Sequence, residues 1–216
     1  MKLTEHIQRY LELVARADRM FESVTRSYSD LMPCKSGCDD CCHVYYELSL
    51  IEAFYISGMF NDKISGRSRE RAIIRAEEVE PAFVNAQAML GNLGKTGNKS
   101  EESNAINAAA RLRIRCPLLE DRRCILYEDR PITCRLYGCP QKIRNQVVTC
   151  PRSGFKEGTA YTTIDVNKVQ KNLTEYSLEF LQDLLEIHIA SENGLRFTMP
   201  EVLRTIFDKE YFARLQ

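Results

Sequence analysis

The chain has 216 residues, 44% hydrophobic and 28% charged, enough to bury one sizeable core but not to build two full domains. Thirty Lys and Arg balance thirty Asp and Glu, so no net charge draws it to nucleic acid or to an anionic membrane. Residues 1–6 carry no apolar signal core, and no run approaches the roughly 18 apolar residues of a membrane span. The expectation is therefore a cytoplasmic, non-membrane protein forming a single domain over residues 1–216.

Residues 3–31 are predicted to form one amphipathic helix. Leu3, Ile7, Tyr10, Val14, Ala17, Phe21, Val24, Tyr28 and Leu31 recur at alternating spacings of four and three, with charges on the opposite face. Pro33 is expected to end it. The polar, turn-rich stretch 34–42 reads as a loop. Ser49 and Glu52 fit a capping box that opens a short helix to about Gly58. A further helix is expected over about 67–90, with Ile73, Ala76, Val79 and Phe83 on one face and Pro81 as a kink or break. The Gly- and Asn-rich stretch 91–100 is the clearest linker and reads as a surface loop.

A short helix at about 102–113 leads to Cys116–Leu119 and Cys124–Tyr127, two apolar stretches around Glu120–Arg123 that predict a small hairpin. Pro131 suits the first turn of a short helix carrying Cys134 and Arg135. Residues 140–160 read as irregular. Asp165 is expected to cap a helix running to about 190 with a stripe of Val169, Leu173, Tyr176, Phe180, Leu184 and Ile187, stopped by Gly194. Thr198–Glu201 opens the last helix, with Val202, Ile206 and Tyr211 or Phe212 facing inward. There is no internal repeat. The fold class expected is mainly α: a helical bundle enclosing a small cysteine-rich metal-binding core over about 34–140, with a short β-hairpin.

Nine cysteines, four of them within nine residues, stand out against this ordinary composition. In a reducing compartment such a set reads as metal ligands rather than disulfides, because thiolate is a soft ligand and sets of four suit zinc or an iron–sulfur cluster. The first run is Cys34, Cys38, Cys41 and Cys42; the second is Cys116, Cys124, Cys134 and Cys139. Cys41 and Cys42 are adjacent, so one can complete the first site while the other reaches a second site or stays spare. Eight cysteines can fill two four-sulfur sites, or one site with supporting thiols. Cys134, near a helix start, is expected to have a depressed thiol pKa. Cys150 lies outside both runs and reads as a non-ligand.

The spacing of Cys34, Cys38 and Cys41 matches that of radical S-adenosylmethionine enzymes, but those need strands and helices alternating after the loop, which this sequence lacks. His43 is a candidate extra ligand, while His6 and His188 read as structural. Lys35, Arg130 and Arg135 are candidates for offsetting thiolate charge, and Tyr45 and Tyr46 for shielding it from water. No phosphate loop, dinucleotide fingerprint, nucleophile elbow or zinc-protease motif occurs.

Cys34…Cys38…Cys41-Cys42, Cys116-Pro117-Leu118-Leu119, Cys124-Ile125-Leu126-Tyr127-Glu128 and Arg130-Pro131-Ile132-Thr133-Cys134-Arg135-Leu136-Tyr137 together resemble the CxxCxxCC cysteine-cluster family of zinc- or iron-chelating proteins. The first gap here is three residues rather than two. The cysteine region is also similar to that of flagellin lysine methylases, which implies a [4Fe-4S] cluster. The function expected is cysteine-ligated metal binding, by [4Fe-4S] in preference to zinc. Redox or methyl-transfer chemistry stands beside a structural zinc-binding interaction protein and a metal chaperone or sensor.

Overall fold

The computed structural model describes residues 3–32, 34–35, 37–93, 104, 107–109, 111–185 and 195–214, and most of its regular structure is helical. The first helix, α1 (Leu3–Ser27), buries Tyr10, Leu13, Val14, Ala17 and Val24, the seam expected from its spacing with Leu13 added. Leu3 is exposed instead, and Phe21 is only partly buried. The helix stops at Ser27 rather than Leu31. The Tyr28 amide still donates to the Val24 carbonyl at 3.0 Å and its ring packs edge-on against Phe155 and Tyr161, while the amides of Leu31 and Met32 turn back to its carbonyl.

The capping box forms as expected. Ser49 closes β1 (Leu48–Ser49), and Glu52 accepts from its amide and hydroxyl at the start of α2 (Leu50–Lys63). This helix continues past Gly58, because Ile56 and Phe60 on either side are fully buried and outweigh the roughly 1 kcal/mol that glycine costs in a helix. The next helix, α3 (Gly66–Leu93), runs unbroken through Pro81. Proline removes one hydrogen bond there, but Ala72, Ala76, Phe83 and Ala86 stay buried on both sides of it. Residues 94–100 of the expected linker lie outside the described residues, as do Ile187, His188 and Gly194. Residues 91–93 belong to α3 rather than to a loop, and within the expected helix 102–113 the described residues 104, 107–109 and 111 are helical.

The predicted hairpin is present as β2 (Leu119–Glu120) and β3 (Arg123–Cys124). Its two turn residues, Asp121 and Arg122, have φ of 46° and 62°, the primed geometry that matches strand twist. The short helix α4 (Ile132–Leu136) starts after Pro131. Residues 140–160 are not irregular throughout: β4 (Gln141–Ile143) pairs antiparallel with β5 (Gln146–Val148) and parallel with β6 (Ile164–Asp165). The central residues Lys142 and Val147 are exposed, so no buried alternation marks these strands in the sequence.

Asp165 accepts from the Asn167 amide at 3.1 Å and opens α5 (Val166–Leu185), which buries Val169, Leu173, Phe180 and Leu181. Its Leu184 is exposed. Strand β7 (Arg196–Phe197) pairs antiparallel with β1, and Thr198 and Glu201 form the capping box of α6 (Met199–Arg204). The last helix is not continuous as expected. It breaks at Thr205, whose carbonyl accepts from Ser57 at 3.0 Å, and leaves Ile206 70% exposed before α7 (Lys209–Ala213) buries Phe212.

Helices α1, α2 and α5 contact one another around a single large cluster that includes Tyr10, Ile51, Phe60, Leu173 and Phe180. Each such side chain contributes about 1.5–3 kcal/mol by leaving water. Cys116, Leu118, Ile132, Leu136 and Cys139 belong to the same cluster, so the cysteine-bearing segments are fixed to the core rather than hung from it. Among the described residues, no helix is long and apolar enough to cross a membrane.

Candidate functional site

The two cysteine runs are joined through the backbone. Asp40–His43 forms a 3-10 turn, after which Val44 bridges Arg113 in antiparallel fashion. The amide of Ile114 donates to the His43 carbonyl at 3.0 Å, and that of Cys116 to the Cys42 carbonyl at 2.7 Å. The hairpin that follows is clamped to α3: Glu120 accepts from Arg71 and, at 3.2 Å, from Arg75, whose Nε also donates to the Pro117 carbonyl at 2.8 Å.

Helix α4 is seated just as firmly. Buried Glu52 accepts from the Ile132 amide at 3.2 Å, so one carboxylate caps both α2 and α4. Arg135 pairs with Asp18 of α1 at 2.8 Å and also donates to the carbonyls of Arg130 and Glu128. Asp129 is held by Lys63 at 2.7 Å and Tyr55 at 2.8 Å.

These anchors surround a cavity of about 580 Å³ walled by Cys34, Cys38, Cys41, Cys42, Cys116, Cys124, Cys134 and Cys150. Eight of the nine cysteines therefore face one space. Phe21, Leu118 and Tyr46 give it an apolar side, while Lys35, Arg122, Arg123, Arg130 and Arg135 give it cations. Cys139 is buried but is not part of the wall. Among the described residues, no three His, Cys, Asp or Glu side chains converge tightly enough to hold a single metal ion.

The sequence candidates divide accordingly. Tyr46 lies on the wall with its hydroxyl 3.8 Å from Cys116, whereas Tyr45 packs on Phe83 in a separate small core. His43 is not on the wall and sits 3.8 Å from Asp39. His6 is buried against Asp183 and Phe180, the structural role expected of it. Arg130 stacks over Tyr127 at 3.9 Å, and Arg135 is buried. Cys150, read from sequence as a bystander, is on the wall and only 4% exposed.

Burial sets the thiol chemistry. It pushes Cys124 and Cys139 up to about 12, with neighbouring thiols adding to the effect at Cys124. Cys116 and Cys150 are raised by the same cause. Cys134 is raised as well, against the depression expected from its position near a helix start. Burial and the charges of Cys41, Cys116 and Cys124 dominate there, and a five-residue helix offers little dipole to oppose them. Cys41 goes the other way. It accepts the hydrogen bond of the Cys42 thiol, with Arg130 nearby, and is held below the ordinary thiol value. A bound cation reverses the general trend by stabilising thiolate.

Two structural elements of the site had no signal in the sequence. Asp40, 3% exposed, accepts from Arg113 at 2.8 Å and from Tyr137 at 2.7 Å, and lies 3.3 Å from Arg152. Burial alone would push its carboxyl up, but Tyr137 and the two arginines outweigh it and hold the group below the usual carboxylate range. Gly138 has φ +105°, and a Cβ there would stand 2.5 Å from the Cys34 sulfur. Gly138→Ala should therefore cost about 2 kcal/mol from backbone strain alone, read as a lower urea midpoint. An unchanged midpoint would mean that the Gly138 turn and Cys34 relax freely.

No family model, no curated protein and no solved structure matches this chain.

Proposed function

We propose that this chain is a thiolate-ligated metal-binding protein, of the CxxCxxCC cysteine-cluster kind, whose cavity holds an iron–sulfur cluster. The observation that carries the reading is the convergence of eight cysteines, from four separate stretches of chain, on one cavity of about 580 Å³. Thiols gathered at one cavity without a metal oppose one another's ionisation, and a multivalent cation is what makes such a set favourable.

A loop-borne, thiolate-rich set with no paired histidine favours a cluster over a single zinc ion. The residues around the thiols suit the charge of a thiolate-ligated cluster: Arg130 and Lys35 offset it, and Tyr46 reaches Cys116. Phe21 and Leu118 restrict water on the apolar side. When bound, a cluster of this type supplies one-electron transfer at a potential set by those hydrogen bonds and by burial.

Anaerobic purification followed by an absorbance spectrum and analysis for iron, zinc and acid-labile sulfide tests the reading. A brown protein with a broad band near ~400 nm and equal iron and sulfide is the expected result. A colourless protein with about one or two zinc ions would replace the cluster with a structural or chelating zinc site. A chain that takes up neither metal would overturn the proposal.

A further inference from the structure

The wall of the thiol cavity is one-sided in charge. Among the described residues Lys35, Arg122, Arg123, Arg130 and Arg135 line it and no Asp or Glu does, although the chain carries equal numbers of each sign. Arg135 is held by Asp18 at 2.8 Å, and Lys35 and Arg130 offset the centre proposed above. That leaves the pair at the tip of the 119–124 hairpin.

Arg122 and Arg123 are both exposed, so they stand on the rim of the cavity rather than on its floor. Arg122 occupies the turn with φ of 62°, and its guanidinium donates to the Gly37 carbonyl at 2.8 Å. That bond draws the hairpin tip onto the first cysteine loop. Asp39 lies 3.9 Å from Arg122 Nε but is not part of the wall.

The rim also carries an apolar platform. Tyr127 is exposed, and Arg130 lies over its ring at 3.9 Å while donating to its carbonyl at 2.7 Å. Pro131 continues the same wall. At about 580 Å³ the cavity falls within the roughly 300–1,000 Å³ of sites for small organic ligands. Guanidinium forks with no carboxylate among them select carboxylate or phosphate, and a concave wall suits a small molecule better than a protein face.

Going beyond the metal-binding reading of the same cavity, on which it rests only for the role given to Lys35 and Arg130, we propose that the mouth binds a small organic anion. Arg122 and Arg123 hold its carboxylate or phosphate group, and its apolar body lies against Tyr127 and Pro131. The anion takes the cationic side of the space and replaces no thiol.

The test is calorimetric titration of the full chain with phenyl phosphate, phenylacetate and inorganic phosphate, at about 0.15 M salt to screen loose surface attraction. Iron is measured in every sample. Saturable binding of a phenyl ligand is expected, about tenfold tighter than that of inorganic phosphate because the ring leaves water. The tighter of the two phenyl ligands assigns the anionic group. Arg122→Asn/Arg123→Thr should weaken binding about tenfold or more and leave iron content and melting temperature unchanged. Asparagine tolerates the positive φ of that turn. Lys168→Ser/Lys171→Ser, which removes two cations from a different cavity, should bind as wild type does. Equal affinity in wild type and the arginine variant would overturn the proposal. So would an equal loss in the lysine variant, or no saturable binding of any of the three. Anion binding by a chain that takes up no metal upholds the site and fails the metal-binding reading. An iron-loaded chain that binds no anion fails the site alone.

Discussion

Asp40→Ala should lower the melting temperature by about 6–12 °C and sharply reduce metal uptake. The carboxylate is buried and holds Arg113, Tyr137 and Arg152, while the Cys150 thiol lies 3.7 Å away. Those partners sit next to Cys116, in the Cys134–Cys139 stretch and next to Cys150, so one side chain fastens four segments of the cavity wall. Removing one member of a buried ion pair costs about 3–5 kcal/mol. Arg113 and Arg152 are roughly half exposed and recover hydration, so the lower end, about 3 kcal/mol, applies. At 2–4 °C per kcal/mol for a chain of this size, the stated range follows. Asp40→Asn, which keeps an acceptor for Tyr137 but loses the charge, should fall between the two. Wild-type stability and metal content in Asp40→Ala would remove the carboxylate as the organiser of the wall.

Arg135→Met should be nearly as damaging, about 3 kcal/mol by thermal melting, and Arg135→Lys should not rescue it. The guanidinium is buried and serves three acceptors at once: Asp18 of α1 and the carbonyls of Arg130 and Glu128. A planar fork can reach all three, whereas a single ammonium cannot without moving α4. Asp18 is more exposed, so Asp18→Ala should cost less than Arg135→Met. The difference would measure what the two carbonyls lose. A lysine variant that melts like wild type would show that only the charge matters there.

Much of the scaffold could be read from local sequence, because the physics there is local. Ser49 with Glu52 and Thr198 with Glu201 cap helices within one turn, the 119–124 hairpin closes over two residues, and Pro131 sets the start of α4. The site itself was only half legible. Cysteine identity and clustering announced it, but which thiols meet depends on the Cys116-to-Cys42 backbone bond and on the Gly138 turn beside Cys34, both products of tertiary contact. Cys150 lies far from both runs along the chain, yet tertiary contact brings it to the same cavity wall. Asp40 looked like ordinary loop polarity next to Asp39, and nothing in the sequence distinguishes the buried one. Ile206 and Leu184 followed the helical period and are exposed nonetheless, since the period fixes direction on a helix only where that helix continues and is covered.

The long-range closure of the cavity has a consequence for the chain as it is made. Cys34–Cys42 emerges from the ribosome about 110 residues before Cys150, an interval of roughly 5–20 s at the usual pace of synthesis. Through that interval the first loop offers its thiols to any oxidant or stray metal, with neither Arg113 nor Tyr137 yet present to fold Asp40 inward. Under the metal-binding reading proposed above, the cavity wall is complete only once Cys150 has emerged, and the nascent loop is the stage at which its thiols are least protected.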